Sequence, residues 1–214
     1  MNSDKALSNA GLELTQKLQM HFPRNIAPDV LRAWNGCPVD FLTARLDEVF
    51  GVMPKLQSLL AQLDPVTVPA TTEPFVARKH FVVGSREVHI SYVGDNFKRW
   101  FSDKTEEPAS EQSLRHGLLR KSSVDGPIIT ELGGEGAVET SLAQIWWLMK
   151  QQPHGEDGTL LTNGYANIFY VKDQNGGLRA VLVHWHDDGW YVLAHSVEYP
   201  DAWRDGLQVF SRNS

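Results

Sequence analysis

Cysteine is nearly absent: Cys37 is the only one in 214 residues. That excludes a disulfide framework and a four-cysteine zinc site. Long apolar runs are missing too, since none approaches the roughly 18 residues of a membrane span. Positive charge is scarce, with 20 Lys and Arg against 26 Asp and Glu and a formal net charge of −6. The deficit lies in the second half. Residues 1–107 hold 12 basic and 13 acidic side chains, whereas residues 108–214 hold 8 and 13. A phosphate backbone is bound by a positive face that displaces counterions. Only the short pairs Arg78-Lys79, Lys98-Arg99 and Arg120-Lys121 offer one, so generic nucleic-acid binding is not expected. The opening residues, MNSDKALSNAGLEL, lack the basic start and continuous apolar stretch of a signal peptide. With the single cysteine they point to a reducing cytoplasm and no membrane association.

What is present suffices for a core. Hydrophobic residues make up 42% of the chain and charged residues 21%, which excludes wholesale disorder. A folded chain of this size buries about 70% of its surface. Residues 1–63 read as helical. Leu7, Gly11, Leu14 and Leu18 share a face, Pro28 and Gly36 bracket a short helix, and Leu42, Leu46, Val49, Phe50, Met53, Leu56, Leu60 and Leu63 form a near-heptad stripe. Pro54 kinks or splits that stripe. Packing onto the rest of the chain is its expected use, with a homodimer through these helices as a further option.

Residues 64–75, DPVTVPATTEPF, read as an extended proline-rich linker. An α+β domain is expected over 76–214, although the whole chain could equally be one domain. Within it, 76–83 and 88–93 read as strands, Asp95 as the cap of a short helix, Ser110 as the cap of another containing Leu114 and Leu118, and 127–132 as a strand. A helix is expected at about 138–152, with Val138, Leu142, Ile145, Trp146 and Met149 buried and Pro153 ending it. Residues 165–172, 178–186 and 190–198 read as a three-stranded antiparallel meander with turns at Asn175-Gly176 and Asp188-Gly189. The expected fold is therefore α+β: an N-terminal helical layer, then an antiparallel sheet with helices on one side.

The stretches GYANIFYV (164–171), HWHDDGWYVLAHSVEYPDAW (184–203) and DGLQVFSRNS (205–214) resemble the C-terminal signature of a family of short uncharacterised bacterial proteins met mainly in candidate phyla. Glu131-Leu132-Gly133-Gly134 and Leu142-Ala143-Gln144-Ile145-Trp146 are similar to that family as well. The resemblance implies a recurring domain from about residue 131 onward. It implies no activity, because the family has no assigned function.

The most specific chemical feature is a histidine face. If both turns have two residues, 186 opposes 191, 184 opposes 193 and 182 opposes 195. His184, His186 and His195 then share one sheet face with Tyr191, Leu193 and Leu182. Three imidazoles could bind zinc with a carboxylate or water as fourth ligand. The plainer reading makes them polar residues on the solvent side of the sheet.

Cys37, before Pro38, is placed to cap a helix, where a thiol has a lowered pKa. With His184 as base and Asp188 as orienting group it would be an activated nucleophile, in an order similar to papain-like hydrolases and transferases. Asp40 works against this, and a lone cysteine is usually a small hydrophobe.

The loop Gly133-Gly134-Glu135-Gly136 matches neither GxGxxG nor GxxxxGK[ST], and Glu131, Glu135 and Glu139 would repel phosphate. Trp147, Trp185, Trp190, Tyr191 and Trp203 could form a partner surface, or fill the core.

These features favour a non-catalytic binding or interaction protein for a protein partner or a small ligand, with no cofactor. The alternatives are a Cys-His hydrolase or transferase and a His-ligated zinc hydrolase.

Overall fold

A computed structural model describes residues 58–213. The helices expected over residues 1–57, their dimer option and Cys37 lie outside the described residues.

The described chain opens with strands where a helix end and a linker were expected. Leu60–Gln62 (β1) and Val66–Val68 (β2) both pair antiparallel with Gln112–Leu119 (β6). Leu60 is 1% exposed but Leu63 is 42% exposed, so the leucine spacing that suggests a helix has no common buried side. Pro65 and Pro69 flank β2, which pairs on one side only, as proline requires. The Glu131 carboxylate pins the start of β1. It accepts hydrogen bonds from Ser58 Oγ (2.5 Å) and from the backbone N–H groups of Leu59 (2.7 Å) and Leu60 (3.1 Å).

Phe75–Val76 (β3) and Thr105–Glu106 (β5) form a small antiparallel ribbon. The other strands are Ile90–Val93 (β4), Asn167–Lys172 (β7), Leu178–His186 (β8), Gly189–Ser196 (β9) and Gln208–Arg212 (β10). The helices are Ala77–His80 (α1), Asp95–Phe101 (α2), Asp125–Glu131 (α3), Glu135–Val138 (α4) and Leu142–Gln151 (α5). Eight strands make one sheet, ordered β1-β6-β10-β7-β8-β9-β4 with β2 beside β6.

This corrects the expected fold class. The meander exists as β7-β8-β9, but it is the middle of a mixed sheet, not an antiparallel sheet with helices on one side. β10 inserts between β6 and β7 and runs parallel to β7, and β4 runs parallel to β9. The described residues are dominated by strand. Apolar clusters lie on both sheet faces. Phe169, Val171, Val181, Val183, Val192 and Phe210 pack with Phe97, Phe101, Ile145 and Trp146. Their strand neighbours Ile168, Tyr170, Ala180 and Val209 pack with Ile128, Leu132 and Val138. Central strands covered on both sides read as near-continuous apolar runs, as residues 168–171 do.

Four local readings change for identifiable reasons. Residues 76–83 contain one strand residue and then α1, because β3 ends at Val76. The Leu114–Leu118 spacing suits a helix, yet β6 is held as a strand by β1 and β2 on one side and β10 on the other. Gly117 lets those backbones approach: an added Cβ would stand 2.8 Å from the Ala61 carbonyl oxygen. The PIITEL segment is helix α3, since Pro127 falls in its first turn, where no intrahelical donor is lost. Helix α5 starts later than expected, at a capping box. Ser141 accepts from the Gln144 N–H, and the Gln144 side chain accepts from the Ser141 N–H. Among the described residues no helix is long and apolar enough to cross a membrane.

Candidate functional site

The β8–β9 hairpin carries most of the residues singled out by sequence. Its turn is Asp187-Asp188, with His186 paired to Gly189, His184 to Tyr191, Leu182 to Leu193 and Ala180 to His195. Gly189 follows the turn and takes the positive φ (129°), so pairing falls two residues from the expected register. A two-residue shift keeps every side chain on its expected face. The neighbouring hairpin also differs. Lys172 pairs with Leu178, and the Asp173 carboxylate organises the longer loop by accepting from the N–H of Asn175 (2.8 Å) and of Gly177 (3.0 Å).

His184 and His186 come together, with ring centroids 4.7 Å apart and planes at 68°. Tyr191 touches both, at 5.4 and 4.5 Å, and Tyr92 of β4 extends the group, 5.4 Å from Tyr191. Burial, followed by the neighbouring His186, pushes the His184 pKa down to about 4, so this ring is neutral at pH 7. His186, Asp187 and Asp188 are exposed. The Asp188 carboxylate accepts from the Tyr191 hydroxyl (3.2 Å), and its backbone carbonyl accepts from Ser91 Oγ. Asp188 thus orients Tyr191, which is a different role from orienting His184. The pairing of His184 with Cys37 lies outside the described residues.

His195 does not join the pair. It stands four residues along β9 from Tyr191, about 13 Å at strand rise. Its ring packs on Tyr199 (5.6 Å) and Trp203 (5.7 Å). Among the described residues no group of three or more His, Cys, Asp or Glu is assembled for a metal ion. His184 and His186 are thus brought together, and His195 stands apart from them.

The tryptophans divide. Trp190 is fully buried and its Nε1 donates to the Gln152 carbonyl (2.9 Å), so it is core. Trp185 is half-buried, edge-on to Trp190 at 5.6 Å. Trp203 Nε1 donates to Asp125 Oδ1 (2.8 Å), which also accepts from the Tyr170 hydroxyl (2.7 Å). Burial raises the Asp125 pKa, and these two hydrogen bonds oppose that only in part. Trp147, half-buried on α5, lines a cleft.

That cleft, of about 400 Å³, lies between the start of α5, the β5 segment and the residues after β2. It is built by residues distant in sequence. The Glu106 carboxylate accepts from the backbone N–H groups of Leu142 (3.0 Å) and Ala143 (2.9 Å), and so complements the positive end of α5. Lys104 pairs with Glu106 at 3.2 Å and also donates to the Lys172 carbonyl. Gln144 Nε2 donates to Gln112 Oε1 (2.7 Å). Trp147 supplies an aromatic wall, while Arg212 and Glu107 also line the space. Of these residues the sequence singled out only Trp147. The Ser141-x-x-Gln144 pattern was the available signal, because it marks where α5 begins and which residues sit at its mouth.

Two features mark the described residues: a mixed sheet with apolar clusters on both faces, and a cleft of mixed polar and apolar lining with Trp147 as its aromatic wall. Comparison with protein-family models, with curated proteins and with solved structures finds no match.

Proposed function

We propose that the protein is a non-catalytic binding protein that holds a small polar ligand in the cleft beside α5. The observation that carries this reading is preorganisation. The polar walls are already satisfied, Glu106 by two backbone N–H groups and Lys104, and Gln144 by Gln112, so they stand fixed before any ligand arrives. A preformed site loses little conformational entropy on binding. The volume, about 400 Å³, lies within the range of small-molecule sites. Trp147 offers a flat apolar surface, while Lys104, Glu107 and Arg212 offer donors and acceptors around it. Such a mixture suits a molecule with one apolar face and polar edges. One cysteine in 214 residues supports a cytoplasmic setting for this binding.

The test is a melting-temperature and ligand-observed NMR screen of free amino acids, monosaccharides and nucleosides against the full chain. A ligand is expected whose affinity falls at least tenfold in Trp147→Ala and in Ala143→Leu, which fills the cleft. Tyr191→Ala should leave that affinity unchanged. A screen with no ligand, or a ligand that binds equally well to both cleft variants, overturns the proposal.

A further inference from the structure

The histidine pair on β8 is independent of the cleft and carries its own chemistry. We propose that His184 and His186 form an open two-imidazole site for a borderline divalent transition metal, with copper(II) held most tightly.

The argument begins with strand geometry. Residues i and i+2 of a strand project on the same face. His184 and His186 do so, and their ring centroids are 4.7 Å apart. A metal lies about 2.0–2.1 Å from each ligating imidazole nitrogen, which sets two rings on one ion roughly 4.5–5.5 Å apart at angles from right to tetrahedral. The observed centroid separation falls inside that window. The pair is also held in place. β9 pairs with β8 at both His184 and His186, β7 pairs with β8 only as far as Val183, and Tyr191 flanks both rings. Ligands on such an element keep their spacing when the ion is absent.

The neighbouring charge suits a cation. Exposed Asp187 and Asp188 form the adjoining turn and raise the local concentration of cations.

Donor type and number choose the metal. Two imidazoles with solvent in the remaining positions suit copper(II), and the affinity order for nitrogen donors puts copper(II) ahead of nickel(II) and zinc(II). With two protein ligands the site remains open to a further donor from solvent. It is not a closed structural zinc site, consistent with the lack of a three-ligand group among the described residues.

A second pair serves as an internal control. His89 and His154 come from different loops, are both exposed, and have centroids 6.1 Å apart, outside the window.

The experiment is a titration of tag-free, chelator-stripped full chain with copper(II) chloride in a non-coordinating buffer. It is read by calorimetry and by the nitrogen hyperfine pattern in electron paramagnetic resonance. One copper per chain with two nitrogen ligands is expected, and nickel(II) and zinc(II) should bind more weakly. His186→Ala, at an exposed position, should weaken binding at least tenfold, and His184→Asn should do the same. The double variant His89→Ala/His154→Ala should bind as the parent does. Equal copper affinity in the parent and in His186→Ala overturns the proposal, because the ligands then lie elsewhere. Loss of binding in the His89/His154 variant overturns it too, as does the absence of binding below millimolar copper.

Discussion

Two ends of one sheet face, built from similar side chains, have opposite characters. At one end His184, His186, Tyr191 and Tyr92 form an aromatic and imidazole group, with His186 and Tyr92 open to solvent. At the other, Ala180, His195, Tyr170 and Trp203 meet beneath Asp125 and the chain that follows β9. Both ends contain histidine and tyrosine, and β9 runs through both, with Tyr191 at one end and His195 at the other. They differ in what covers them. The closed end has a carboxylate that is 1% exposed and satisfies two buried donors. The open end has no such roof among the described residues, and the Asp188 carboxylate near it reaches Tyr191 from an exposed turn. Residue type therefore does not distinguish a structural network from a surface open to ligands, whereas coverage and hydrogen-bond satisfaction do.

The largest test of that contrast removes the roof's anchor. Asp125→Ala leaves the Tyr170 hydroxyl and the Trp203 Nε1–H without their acceptor in a buried setting, and should cost about 2–4 kcal/mol. His186→Ala, at the open end, should change stability by no more than about 0.5 kcal/mol. Denaturant unfolding of both variants measures the difference. Equal losses would mean that the two ends are structurally alike, and the distinction would fail.

The same reasoning shows which parts of the protein could be read from sequence. The meander was legible because its strands contain β-branched and aromatic residues, and Gly176 and Gly189 punctuate them. The faces of β8 and β9 were legible too, since a two-residue error in register leaves the alternation intact. The identity of the facing partner was not, and it places His195 opposite Ala180, away from His184 and His186. β6 was illegible because its structure depends on distant partners: β1, β2 and β10 surround a segment whose own spacing suits a helix. The cleft was the hardest to foresee. Glu106, Gln112, Gln144 and Arg212 converge only once the sheet is formed, and no local motif links them. Only the end of α5 was marked locally, by Ser141 and Gln144.

A smaller effect separates the hydrogen bonds of Asp125 from its charge. Both donors reach Oδ1, so Asp125→Asn can keep both with its amide oxygen in that position. Burial raises the folded-state pKa of Asp125 above its unfolded value. Its contribution to stability is thus complete below the ordinary carboxylate range and declines as pH rises through the raised pKa. Asp125→Asn should abolish that decline and lie within about 1 kcal/mol of the parent at neutral pH. Unfolding curves from pH 3 to 8 test this. A parent whose stability rises across the window in which the Asn variant is flat would show that the carboxylate is stabilised as an anion, contrary to its burial.

The smallest effect sharpens the contrast at the open end, where one imidazole of the pair is covered and the other is exposed. Burial first, then the charge of His186, hold the folded-state pKa of His184 at about 4, against an unfolded value of 6.5. A depressed pKa contributes stability that is complete above the unfolded value and is lost as pH falls through the folded one. Acidification from pH 6.5 to 4 should therefore destabilise the parent more than His184→Asn. Tyr191 and His186 both face the ring, so the titration belongs to this cluster and not to an isolated side chain. In chelator-treated buffer, the His184 ring resonances should stay at their neutral positions down to about pH 5 and move only below it. A midpoint near 6.5 would show that solvent reaches both rings equally, and the open end would then be a plain surface without a built pair.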